Sequence, residues 1–231
     1  MLHGYIPLML EGLRTTLAVA FCSYALAILL GLLGAAGKLH GGAIPRTIAN
    51  TYTVLTRGIP ELVLLMLVYF GVPSAVQTLV RTLGPDYANF RLDLPAFQAG
   101  VLALGFVYGG YATDVIRGAV QSIPRGQIEA GYAYGMRGWV LFRRIVLGQM
   151  LRFALPGLGN LWLVLLKATA LVSVLQLNDL MRAANLAAAN TAEPFTFYLA
   201  AVCIYLGITA ISVGVIKLVE RRAFVGERVA V

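Results

Sequence analysis

Charge is scarce in this chain. Only 12% of its 231 residues are Asp, Glu, Lys or Arg, against about 25% in a soluble domain, while 59% are hydrophobic and the mean hydropathy is +0.81. A water-exposed globular surface is excluded, and the chain belongs in a membrane. Acidic residues number 10 against 18 basic ones, for a formal net charge of +8. Nucleic-acid binding would need those cations on one solvated face, but they fall mostly between apolar runs, so no nucleic-acid partner is expected. The two cysteines, Cys22 and Cys203, each sit inside an apolar stretch far from any CxxC or His-rich spacing, which rules out a disulfide framework or zinc site. The two histidines, His3 and His40, lie outside the apolar runs, and no HExxH, no GxSxG and no carboxylate pair beside a histidine occurs. Hydrolase and metalloenzyme readings fail on that ground, and no metal or organic cofactor is expected in this chain. ATP hydrolysis would need a phosphate-cradling G-x-x-x-x-G-K-[ST] loop. The single Gly-Lys pair, Gly37-Lys38, has Leu32 in place of the first glycine and Leu39 in place of the hydroxyl.

What the chain does have is apolar runs of membrane length. About 20 residues of helix cross a 30 Å hydrocarbon core, and five stretches qualify: Leu13–Ala36, a second span at 55–80 containing the run Leu62–Val80, Ala96–Ile116, Leu155–Leu175 and Phe197–Leu218. None alternates like a strand, so an all-α integral membrane domain over 1–231 is expected rather than a barrel. Glu11, instead of a basic flank, argues against reading the first run as a signal peptide. Residues 1–12 then form a short outer tail. Five is odd, so the two ends fall on opposite sides. Lys and Arg near span ends mark the cytoplasmic side: thirteen, from Lys38, Arg46 and Arg57 to Lys217, Arg221, Arg222 and Arg228, lie on one side, and Arg14, Arg81, Arg91 and Arg182 on the other. The N-terminus is expected outside and the C-terminus in the cytoplasm.

Polar atoms entering hydrocarbon point to transport. From Thr47 to Val80 is 34 residues, roughly 51 Å of helix, too long for one crossing, and Gly58 and Pro60 supply a break. Irregular backbone at membrane depth is tolerated where protein or a water-filled cavity surrounds it, and broken helices frame substrate sites in transporters. Glu61 projects from the break and either receives a cationic part of a substrate, pairs with Arg57, or rests at the membrane surface. Lys167, followed by Thr169 and Ser173, either meets a substrate carboxylate, snorkels, or pairs with Glu61. Asp114 and Arg117, three apart, read as a local pair.

Between the third and fourth spans, a polar interval at about 118–150 contains Pro124 and Gly126, which can open a helix near Gln127 with Glu129 in its first turn, and Gly135, which would close it. The small residues Ala130, Gly131 and Ala133 would let another protein approach the backbone. The alternative is a helix lying on lipid headgroups.

Glu129-Ala130, Gly135, Ile145 and Leu155-Pro156 resemble the EAA loop of ABC importer permeases. Thr56 to Val63, Tyr111 to Gly118, Ser122 to Gln127, Ala170 to Ser173, Pro194-Phe195 and Leu218 to Arg222 extend the resemblance to the polar amino-acid permeases, in particular the histidine and lysine/arginine/ornithine group and its opine neighbours. The resemblance implies a type I ABC importer permease fold in the bacterial inner membrane, pairing with itself or a homologous second permease. It further implies two ATPase subunits that hold ATP and Mg, a periplasmic solute-binding protein, and basic amino acids or opines as cargo. Gln127, Glu129, Ala130, Gly131, Gly135, Met136 and Arg137 would couple to the ATPase; Glu61, Arg57, Lys167, Thr169 and Ser173 would meet substrate. The chain departs from the family pattern at Gly131, where a second alanine is usual, and at Gln176, where glycine is frequent. The rival from another class is a gradient-driven transporter or channel for a small cation, for which internal inverted repeats would be the signature; none is visible. A membrane anchor without transport is the second rival.

Overall fold

The computed structural model describes residues 2–84 and 89–224; Arg228 of the charge count lies outside the described residues. Eight helical segments follow one another: α1 Leu2–His40, α2 Ala43–Gly58, α3 Glu61–Arg81, α4 Ala96–Gln121, α5 Arg125–Ala133, α6 Gly138–Leu175, α7 Leu180–Thr191 and α8 Pro194–Ala223. Five of them, α1, α3, α4, α6 and α8, are long and apolar enough to cross a membrane. The residues expected as a tail before the first span are part of its helix, since α1 is already helical from Leu2.

The central element is α4. Two thirds of its most apolar stretch is buried within the protein, against 6% for α8, so α8 presents its apolar side chains outward where lipid is the solvent. Small residues bring α1 and α4 together: a Cβ added at Gly31 would sit 2.6 Å from the Ala112 methyl, and one at Gly34 would overlap Thr113. Such small-residue seams replace the hydrophobic effect as the glue between helices in lipid. The α1–α4 seam, joined by α6 and the first turns of α3, forms the main core around Ala27, Leu65, Leu104, Tyr108 and Leu165.

α2 is amphipathic and does not cross. It buries Ala49, Thr53 and Thr56 and ends at Gly58; Ile59 is extended, and Pro60 caps α3 with its carbonyl accepting from the Leu64 amide at 3.1 Å. The break therefore falls at the residues whose backbone chemistry demands it.

The 118–150 interval is more helical than a loop. α4 runs on to Gln121 and α6 starts at Gly138, leaving a compact helical hairpin around α5. At its other end α6 tightens into a 3-10 turn over Thr169–Leu175 that stops at Gln176, in the left-handed region at φ 59°. That conformation explains why glycine suits this position, and Gln carries a Cβ penalty there. α7 follows, with Asp179 accepting from the Arg182 amide and Thr16 of α1 accepting from the Leu180 amide.

Candidate transport site and coupling hairpin

Tyr108 lies 12 residues into α4, roughly 18 Å along it, about halfway across a hydrocarbon core. Its side chain is buried at 2% exposure, and its hydroxyl donates to Glu61 Oε1 at 3.0 Å. The break at Gly58–Pro60 thus delivers the Glu61 carboxylate to a point about halfway along α4, which supplies the donor that receives it.

A polar trail leads away from this pair, winding along α4. Tyr111 follows Tyr108 with ring centroids 5.8 Å apart, and the Arg57 guanidinium lies 5.7 Å over the Tyr111 ring, a cation–π distance. Arg57 ion-pairs with Asp114 Oδ2, while Lys38 from α1 reaches Asp114 Oδ1 at 3.0 Å and donates to the Thr53 hydroxyl at 2.7 Å. The Lys38 side chain is 6% exposed, and its charge is tolerated there because the carboxylate and hydroxyl replace water. Beyond them opens a cavity of about 480 Å³ lined by Lys38, Asn50, Thr53, Arg57, Asp114 and Arg117, among others.

Two expected pairings are corrected. Asp114 does not pair with Arg117; it takes Lys38 and Arg57, because the tertiary fold brings α1 and α2 against that face. Arg57 therefore serves Asp114 rather than Glu61, which is held by Tyr108. Lys167 is exposed on α6 and forms no ion pair with Glu61 among the described residues. Thr169 is buried and donates to the Leu166 carbonyl, and Ser173 donates to the Ala170 carbonyl, so both hydroxyls close turns of their own helix. Tyr108 and Lys38 were missing from the sequence-based site; the stripe Tyr108, Tyr111, Asp114 at three-residue spacing was the signal that could have found the first.

The hairpin is built differently. α5 begins at Arg125, two residues before the expected Gln127, with Pro124 as its cap, so Glu129 lies beyond the first turn and the helix-dipole argument for it fails. At the other end the Gly135 amide bonds the Tyr132 carbonyl and the Met136 amide bonds the Gly131 carbonyl, with Gly135 at φ 76°. This reciprocal pair is a Schellman stop, which requires the left-handed residue that Gly135 provides. Gln127, Glu129, Ala130 and Arg137 are exposed, and Met136 is partly so. Gly131 is not on that outward face: it is buried, and a Cβ there would overlap the tips of Leu141 and Ile145. The departure from alanine thus lets α5 close onto α6.

At the far end of α1, Asp179 is 1% exposed, and its Oδ2 finds no hydrogen-bond partner. Burial pushes its carboxyl up to about 6, opposed by the amides it caps. Thr16 of α1 accepts from the backbone directly after Asp179, and Tyr205 of α8 stands partly buried nearby.

A broken span with an acid at the break, a small-residue helical seam and an outward-facing helical hairpin are the features of a membrane transport subunit. Residues 27–225 match the family described as the binding-protein-dependent transport system inner membrane component, and the chain belongs to that family. It is similar, at 44% identity over 98% of this chain and 97% of the relative, to the histidine/lysine/arginine/ornithine transport system permease protein HisQ of Salmonella typhimurium strain LT2. It is 43% identical to the octopine transport system permease protein OccQ of Agrobacterium tumefaciens strain Ach5, over 94% of this chain and 91% of that one. Among solved structures, an amino acid ABC transporter with histidines superposes with a TM-score of 0.83 at 32% identity, covering 96% of both chains. The MetNI methionine transporter in an inward-facing conformation gives 0.77 at 16% identity, covering 96% of this chain and 99% of that one, a likeness of fold alone. The chain is thus an inner-membrane permease subunit of an ABC importer.

Proposed function

We propose that this permease carries basic amino acids or opines, and that the Glu61–Tyr108 pair is where the solute's cationic group is received. The observation that supports this most directly is an acid at the break of a membrane-length helix, held by a hydroxyl and, among the described residues, by no cation. Such a carboxylate is costly unless a cation visits it. Arg57 shapes the site from the side through Tyr111 and Asp114, and exposed Lys167 offers a positive group to a solute carboxylate, with Thr169 and Ser173 fixing the turn that follows it. The names of the similar permeases point to the same class of cargo.

In this reading the N-terminus lies outside and the hairpin end in the cytoplasm. Two ATPase subunits, carrying ATP and Mg, grip the exposed face of α5 through Gln127, Glu129, Ala130 and Arg137, with Gly131, Gly135 and Met136 fixing its shape. The subunit pairs with itself or with a homologous second permease, and a periplasmic solute-binding protein delivers the cargo. The chain is not itself an enzyme: hydrolysis in the partners shifts it between two accesses with different solute affinity, which is what uphill transport requires.

Uptake by the reconstituted assembly tests this. Accumulation is expected only with ATP, the ATPase and the binding protein present. Glu129→Lys is expected to abolish ATP-driven uptake while the protein still inserts. Glu61→Gln is expected to reduce uptake of arginine about tenfold, an effect on the order of one charged hydrogen bond, and to spare a neutral amino acid. Equal loss for both solutes would return Glu61 to a structural role, and uptake driven by an ion gradient without ATP would replace the importer by the gradient-driven rival.

A further inference from the structure

The cavity between α2 and α4 carries a charge imbalance that the Glu61 site does not use. Both oxygens of Asp114 are taken, Oδ1 by Lys38 and Oδ2 by Arg57. Arg117, one turn further along α4, lines the same cavity and makes no ion pair among the described residues. Three cations therefore face one carboxylate, and the other polar groups around the space are Asn50, Thr53 and Gln121. Cations collected in a cleft with low-dielectric walls focus an attractive field for anions. At about 480 Å³ the space falls within the range of small-molecule sites.

Its position gives the field a direction. Tyr108, Tyr111, Asp114 and Arg117 follow one another at steps of three, a stripe that winds round α4 so that Arg117 leaves the side opposite Tyr108, and Arg57, over the Tyr111 ring and paired with Asp114, joins the Glu61 level to the cavity. From Tyr108 to Arg117 the stripe descends roughly 13 Å, from the level of Glu61 toward the hairpin end.

We propose that this cavity is a release station that takes the α-carboxylate of the transported solute as it leaves Glu61, with Arg117 as the group that meets it. The proposal rests on the reading of Glu61 as the receiver of the solute's cationic group. A guanidinium matches a carboxylate with two parallel hydrogen bonds, and Arg117 is the cation here whose fork is uncommitted to a carboxylate. Lys38 and Arg57, already balanced by Asp114 in part, set the background potential. The same three cations repel the solute's basic side chain, so the station holds one end of the molecule and rejects the other. A solute held in this way departs readily toward the open side, and a cytoplasmic basic amino acid is discouraged from travelling back to Glu61.

The test uses the whole permease–ATPase complex, purified without binding protein and free of nucleotide. Equilibrium binding of labelled arginine is compared with that of argininamide, which keeps the skeleton and both basic groups but lacks the carboxylate. The complex is expected to prefer arginine about tenfold, in keeping with one charge-assisted hydrogen-bonded pair. Arg117→Gln is expected to remove that preference by weakening arginine, and Arg117→Lys to retain most of it. Unaltered thermal unfolding of both variants keeps the comparison free of folding effects. A preference for arginine that survives in Arg117→Gln overturns the release station. Glu61→Gln is expected to weaken both ligands alike; if it changes neither while the Arg117 effect stands, the Glu61 reading fails and the carboxylate station does not. Inorganic phosphate titrated alone separates a solute carboxylate from a resident anion. Arg117-dependent phosphate binding, together with an arginine preference indifferent to Arg117, assigns the cavity to a free anion and overturns the proposal.

Discussion

Near the hairpin, the Asp114 carboxylate lies between Lys38 and Arg57. Some 22 residues back along α1, roughly 33 Å away, Thr16 stands at the far end of the bundle, where Asp179 is buried with, among the described residues, no ion pair and one oxygen unpartnered. The two ends of the same helix thus face two acids in opposite surroundings. Asp114 is met by cations from α1 and α2. Asp179 keeps its place by capping α7, and its surroundings favour the neutral acid. A charge that has partners stabilises the assembly that supplies them, whereas a charge without them makes the fold dependent on protons.

The largest break in this contrast is expected from Asp114→Leu. It leaves Lys38, whose side chain is 6% exposed, buried without an anion. The loss is expected to be about 3–4 kcal/mol, seen as a lowered unfolding midpoint in detergent. Arg57, which is half exposed, contributes little of that because water screens it.

Asp179→Asn sharpens the contrast from the other side. Because the folded carboxyl titrates at about 6 against an ordinary value of 3.8, the folded state binds the proton more tightly. Stability therefore falls as pH rises from about 4 to about 6 and stays lower above. Asparagine keeps the capping oxygen and removes the charge. At pH 8 the variant is expected to be more stable than the parent by about 2–3 kcal/mol, and near pH 4 the two should coincide. Unfolding curves at both pH values decide it; a difference that does not change with pH refutes the assignment.

The smallest effect is expected three residues before Asp179, at Gln176→Gly. Relieving a left-handed residue of its Cβ is worth up to about 1 kcal/mol. If the midpoint drops instead, the Gln176 side chain holds the end of α6 in a way the backbone does not reveal.

Several features were legible locally. The break at Gly58 and Pro60, the acid placed after it, and the stop at Gly135 follow from the backbone chemistry of the residues themselves. The start of α5 was misplaced because Pro124 caps it directly, making Arg125 the first helical residue. α7 went unread because its alanines and asparagines lack the hydropathy of a span. Asp179 before Leu180 was nonetheless a capping signal of the usual kind. Gly131 was read from its neighbours in sequence as part of an outward face, but its close contacts are Leu141 and Ile145.

Composition and spacing by themselves determined that this chain is a set of membrane helices with a break at Glu61 and a closed helical hairpin, because those depend on hydrocarbon thickness and on the backbone preferences of Gly and Pro. Which charges meet was decided by tertiary structure alone. Spacing of three favoured Arg117 for Asp114, yet Lys38, 76 residues away, takes it. The packing of small residues along α1 and α4 sets the height at which each side chain faces its neighbour, and in a low-dielectric interior that height decides the partner.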